Sequence, residues 1–117
     1  MRVLVCGGRD YNDSRRVFAV LDKLHSEAGI DAIIEGGAKG ADRLAREWAE
    51  HPYGCGGAET YEADWENQGS FAGPARNARM LAEGKPDLVL AFPGGRGTAD
   101  MCRKARRAGV EVVEIAP

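Results

Sequence analysis

No stretch of this chain stays apolar long enough to cross a bilayer, so a membrane-spanning helix is not expected. A basic, apolar leader is also missing: Met1 and Arg2 run straight into the first apolar segment, which predicts a cytoplasmic protein with no membrane partner. Cysteine is scarce and odd in number, at three in 117 residues, which argues against a disulfide scaffold. Cys6 ends an expected buried strand and Cys102 lies early in an expected helix, and both read as small buried hydrophobes, while Cys55 falls in a glycine-rich loop. His51 lies near Cys55, but no second ligand pair follows at metal spacing, so neither a metal nor another cofactor is expected. With His25 and His51 as the only histidines, both in or at the end of helical segments, no Ser-His-Asp or Cys-His arrangement can be argued. Positive charge is not in excess either, since 16 Lys and Arg face 18 Asp and Glu for a net −2. A broad nucleic-acid-binding face normally needs the opposite balance, so nucleic acid is not the expected partner.

What is present is a globular composition, 44% apolar and 29% charged, in a length that suits one domain over residues 1–117. Glycine is abundant, with 16 residues, and it is placed rather than scattered. The pairs Gly7-Gly8, Gly36-Gly37 and Gly94-Gly95 each follow a short apolar run and precede a segment of helical spacing. Strand, glycines, helix is how a parallel α/β sheet builds a phosphate cradle: glycine lets backbone approach an anion, and the helix offers free N–H groups and its positive dipole end. Such loops share one edge, outside the carboxyl ends of the strands. One common site for a phosphorylated, nucleotide-like small molecule is therefore expected.

The element pattern is regular. Strands are expected at Arg2–Cys6, Ala32–Glu35, Glu59–Ala63, Asp87–Phe92 and Val110–Ile115. The third, polar at Glu59 and Glu62, suits an edge. A helix capped by Asp13 or Ser14 runs to about Ala28, where Gly29 stops it; a second carries Leu44, Ala45, Trp48 and Ala49 on one stripe and ends at Pro52. A third starts near Pro74 and ends near Ala82, after a long connection from Asp64 to Gly73. Thr98 is expected to cap the fourth, which Gly109 stops. Strict alternation of five strands and four helices specifies a three-layer, Rossmann-like, doubly wound parallel sheet. The favoured order is 3-2-1-4-5, with 2-1-3-4-5 as the alternative.

Four loops carry the chemistry. Pro93-Gly94-Gly95-Arg96-Gly97-Thr98 is the most specific, because three glycines in four positions cost backbone entropy that a plain turn does not require. In Gly36-Gly37-Ala38-Lys39-Gly40-Ala41-Asp42 no P-loop signature is present, and Asp42 reads equally as a sugar-hydroxyl acceptor or a helix cap. In Gly73-Pro74-Ala75-Arg76-Asn77 the guanidinium of Arg76 can clamp phosphate. In Gly7-Gly8-Arg9-Asp10-Tyr11, Arg9 can meet an anion and Tyr11 can stack on a base or pack over the sheet edge. Trp65 is likewise a base platform or a lid anchor. Asp10, Asp42, Asp64, Glu66 and Asp100 are the carboxylates near this edge, any of which can activate water for glycosidic cleavage. Arg103-Lys104 and Arg106-Arg107 read as a solvated helix face.

Taken in order, Cys6–Asp10, Gly36–Asp42, Ala63-Asp64-Trp65, Ala72–Asn77 and Phe92–Met101 resemble the SLOG superfamily of Rossmann-like nucleotide binders, in its YspA-like, cpYpsA-related branch. The resemblance covers nearly the whole chain. It implies a binding or sensing module for a nucleotide-derived ligand of the NAD or ADP-ribose kind, and a homodimer. More distantly, the chain resembles the LONELY GUY phosphoribohydrolases, whose Pro-Gly-Gly-x-Gly-Thr-x-x-Glu motif and arginine release a base from a nucleoside monophosphate. That likeness places the arginine at Arg76 and implies a nucleotide N-glycosidase with Asp100 or Asp64 handling water. The motif's glutamate position, however, falls on Met101. The Smf/DprA proteins share the flavour of Gly36–Asp42 and imply a third reading, single-stranded DNA binding.

Overall fold

A computed structural model describes every residue from Met1 to Pro117. The elements are β1 (Arg2–Cys6), α1 (Ser14–Ala28), β2 (Ala32–Glu35), α2 (Ala41–Glu50), β3 (Ala58–Thr60), α3 (Trp65–Gln68), α4 (Ala72–Gly84), β4 (Leu88–Ala91), α5 (Arg96–Arg107) and β5 (Glu111–Glu114). The five strands form one parallel sheet in the order β3-β2-β1-β4-β5, the order expected from the alternation of elements.

Period-two alternation explains the layers. Val3 and Val5 of β1, with Ile33, Leu88 and Leu90 of its neighbours, face α1 and α2 in one core that holds Val17, Leu21 and Trp48. Leu4 and Cys6, with Ile34, Val89 and Ala91, face α4 and α5 in the other, against Met80, Met101, Cys102 and Ala105. β1 and β4 are apolar on both sides because both faces are covered, as central parallel strands require. Asp13 caps α1 by accepting from the backbone N–H of Arg16, worth about 1 kcal/mol. Buried Trp48 satisfies its indole by donating Nε1–H to Asp22 at 2.8 Å.

Several local expectations are corrected. β3 is shorter than expected and starts one residue earlier, at Ala58, on the sheet edge. The connection Asp64–Gly73 is not structureless. Asp64 caps the one-turn α3, a 3₁₀ turn follows over Gly69–Phe71, and α4 then begins at Ala72, ahead of Pro74. α5 begins at Arg96, so Thr98 lies inside its first turn and caps nothing; no side chain caps this helix. No helix is long and apolar enough to cross a membrane.

Candidate functional site

The winding of the sheet reverses direction between the adjacent strands β1 and β4, and the loops after these strands meet there. Gly8 stitches them. Its N–H donates to the Pro93 carbonyl at 2.8 Å, and its own carbonyl accepts from the N–H of Ala41 at 3.2 Å. All three glycine loops are thus joined on one edge by backbone hydrogen bonds. Over this edge opens a cavity of about 910 Å³. Gly7, Gly8, Arg9 and Tyr11 line it from the β1 loop, and Gly94 through Thr98 from the β4 loop. Arg76 and Asn77 line it from α4, and Trp65 from α3.

The Gly36–Asp42 loop contributes differently from expectation. Only Ala38 and Asp42 line the cavity; Gly36, Gly37, Lys39 and Gly40 do not. Asp42 caps neither end of α2, whose N-cap Gly40 has no side-chain partner. Instead its Oδ2 accepts from the N–H groups of Gly36 and Ala38, each at 3.2 Å, and closes the loop on itself. Gly37 donates to Glu35 at 2.6 Å, and buried Glu35 also accepts the hydroxyl of Thr60. The N–H groups of Gly36, Gly37 and Ala38 are therefore spent inside the protein. Gly40 is glycine for two reasons: its φ is 77°, and a Cβ there would overlap the carbonyl oxygens of Gly8 and Arg9.

The Gly94–Thr98 loop is the reverse. Gly94 is confined by Thr98 and the backbone of Gly7 and Gly8, but a Cβ at Gly97 would meet nothing within 4 Å. Gly97 sits in the first turn of α5, where glycine costs about 0.5–1 kcal/mol relative to alanine. Neither conformation nor packing within the protein accounts for it. Its carbonyl is held by Asn77, whose Nδ2 donates to it at 3.2 Å and to Asp100 Oδ2 at 3.0 Å.

Arg76 is half-buried. Nη1–H donates to the Gly36 carbonyl at 2.5 Å and Nε–H to Asn77 Oδ1 at 3.2 Å, so the side chain spans from the second glycine loop to the brace under the third. Burial pushes its pKa down, opposed by the nearby Asp42 carboxylate. Burial likewise pushes the Asp42 carboxyl up to about 6, against the hydrogen bonds from Ala38 and Gly36 and the charge of Arg76.

The Tyr11 ring packs on Phe92, over the sheet edge, with centroids 5.5 Å apart, and it also borders the cavity. Trp65 is 49% exposed, with the Arg9 guanidinium 5.3 Å from its ring centroid and Gly73 beneath its far edge. Two of the three expected catalytic groups are otherwise engaged. Asp100 accepts from Lys104 at 2.7 Å and from Asn77. Although burial pushes its carboxyl up, these bonds outweigh burial and hold it below the usual range. Asp64 caps α3, accepts from Asn67 and does not line the cavity. Met101, at the position of the hydrolase glutamate, is fully buried. Arg103, read from sequence as a solvated face, and Ser70 also border the cavity. Arg103 lies about two turns into α5, and nothing in its sequence setting sets it apart from the other basic residues of that helix. No group of three or more His, Cys, Asp or Glu is placed to hold a metal ion.

The comparisons with known proteins fit this geometry. Residues 1–68, more than half of the chain, match the model of the YspA, cpYpsA-related SLOG family. The Gene 61 protein of Mycobacterium phage D29 is 40% identical over 120 residues, covering 97% of this chain and 95% of the phage protein. The chain belongs to the YspA, cpYpsA-related SLOG family. Among solved structures, DNA processing protein A (DprA) from Streptococcus pneumoniae is similar in fold, with a TM-score of 0.53 and 20% identity over 96% of this chain. The chain spans 58% of that structure's length, and at this identity the likeness speaks for the shared Rossmann-like α/β fold alone.

Proposed function

We propose that this SLOG domain binds a nucleotide or nucleotide-derived ligand, of the NAD or ADP-ribose kind, as a binding or sensing module. The observation that carries the reading is Gly97: a glycine in the first turn of α5, at the cavity wall, that neither its conformation nor its packing within the protein requires. A ligand phosphate resting on the uncapped N-terminus of α5 would require it, because such an anion needs the backbone bare. Arg96, which lines the cavity, supplies further positive charge, with Arg9 across from it on the β1 loop. A volume near 910 Å³ lies within the usual range of small-molecule sites, about 300–1,000 Å³.

The cleavage reading is the weaker of the two, since Asp100 is ion-paired and Asp64 stands off the cavity. The single-strand DNA reading draws on the fold likeness to DNA processing protein A and is opposed by the net charge of −2. The test is thermal melting with adenosine monophosphate, ADP-ribose and NAD, on the wild type and on Gly97→Ala, with chromatography for free base. Stabilisation of the wild type by an intact ligand, lost in Gly97→Ala, is the expected result. Stabilisation of neither protein overturns the reading; equal stabilisation of both overturns the part given to Gly97.

A further inference from the structure

Asp42 is 6% exposed, and its carboxylate is used on one side only. Oδ2 takes both backbone N–H groups; Oδ1 has no protein donor. No fully sealed side-chain oxygen or nitrogen in the molecule lacks a hydrogen-bond partner, so Oδ1 is open to solvent, and the opening is the cavity that Asp42 lines. The other carboxylates on the wall differ. Asp10 is exposed, and Asp100 is occupied by Asn77, Lys104 and Arg103. The cavity thus holds one buried, rigidly pinned acceptor with a free lone-pair face.

A carboxylate in that position discriminates. Its orientation is fixed before any ligand arrives, and burial makes an unmet acceptor costly. It therefore favours a guest that brings hydroxyl donors to it. The position of the acceptor says which donors. Arg76 connects the Gly36 carbonyl, beside Asp42, to Asn77, and Asn77 connects to Gly97. Asp42 and the α5 N-terminus are thus the two ends of one short hydrogen-bonded row, with the guanidinium between them. A phosphate ester anchored at Gly97 directs its sugar along that row.

Resting on the nucleotide-binding reading, we propose that Asp42 accepts hydrogen bonds from the sugar hydroxyls of the ligand and so selects ribose over deoxyribose nucleotides. The pinned oxygen holds the loop; the open one reads the sugar. The role is recognition, with no bond made or broken.

The test uses adenosine monophosphate and its deoxyribose and dideoxyribose counterparts, titrated calorimetrically into the wild-type protein and into Asp42→Asn. In the variant the amide oxygen can keep both backbone bonds while a neutral N–H₂ replaces the open charged acceptor, so the fold is retained and the acceptor that reads the sugar is removed. The expected wild-type preference for ribose is about 10- to 100-fold, the usual consequence of an unmet buried acceptor. Asp42→Asn should level it. Equal binding of ribose and deoxyribose forms to the wild type overturns this proposal and leaves the nucleotide reading standing. Preference retained in Asp42→Asn also overturns it. Failure of all three nucleotides to bind the wild type overturns both.

Discussion

The Gly36–Gly40 loop and the Gly94–Thr98 loop look alike on paper and do opposite things. In the first, donors are spent on Glu35 and Asp42, and Gly40 is forced by its φ and by the carbonyls of the neighbouring loop. In the second, the helix it feeds is uncapped and Gly97 faces open space. The lesson is that a glycine marks a place where a side chain is unwelcome, without saying who objects. When the protein's own atoms object, the glycine is architecture. When no atom of the protein does, the residue points outward to a guest.

That contrast can be broken most violently at Gly40. Alanine there combines a positive φ with overlap of backbone oxygens, and destabilisation of about 3–5 kcal/mol is expected by denaturant unfolding. A loss under about 1 kcal/mol would show that the loop is not confined. The next effect belongs to Asp42, where the sealed loop meets the cavity. Its carboxyl titrates near 3.8 when unfolded and about 6 when folded, so the folded state binds the proton more tightly. Its contribution to stability is full below the unfolded value and is lost as pH rises through about 6. At about 1.4 kcal/mol per unit this amounts to roughly 3 kcal/mol. Asp42→Asn should flatten that slope in pH-dependent melting and raise stability at neutral pH. Glu35 from β2, Arg76 from α4 and Cys6 from β1 face the same carboxyl, so Glu35→Gln should shift the window downward.

Gly97→Ala has a smaller effect on stability and the opposite sign to Gly40→Ala. A gain of about 0.5–1 kcal/mol is expected, together with about tenfold or greater loss of nucleotide affinity. A stability loss would mean that the space above α5 is not free. Smallest is Arg96→Ala. Arg96 lines the cavity and has no carboxylate partner, so stability should stay within about 0.5 kcal/mol while binding weakens a few-fold, more at low salt.

Much of this was legible in the chain itself. Val3-Leu4-Val5-Cys6 and Leu88-Val89-Leu90-Ala91 are apolar without alternation, which only a doubly covered strand tolerates, and that placed β1 and β4 at the centre. Strand polarity at Glu59 likewise placed β3 at an edge. The short α3 escaped because four residues are too few for a period. Only the pairing of Asp64 with Asn67 and the positive φ of Gly69 mark it. The loop-closing bonds of Asp42 escaped for a different reason, although its reading as a sugar-hydroxyl acceptor was already open from the sequence. Sequence suggests that a carboxylate near a helix start serves that helix, whereas here it reaches back to the loop, a choice made by the tertiary fold. The pairing of Asp100 was not legible because its partners Lys104 and Asn77 come from the next turn of its own helix and from α4.

The two tryptophans differ as much as the two loops. Trp48 is 1% exposed and fixed to Asp22, whereas Trp65 is 49% exposed at the cavity wall under Arg9. The molecule consequently carries its own optical probe and its own internal standard. Occupancy should alter the red-edge, quencher-accessible component of the emission and leave the blue one constant, so a fluorimeter can follow the site with no label attached.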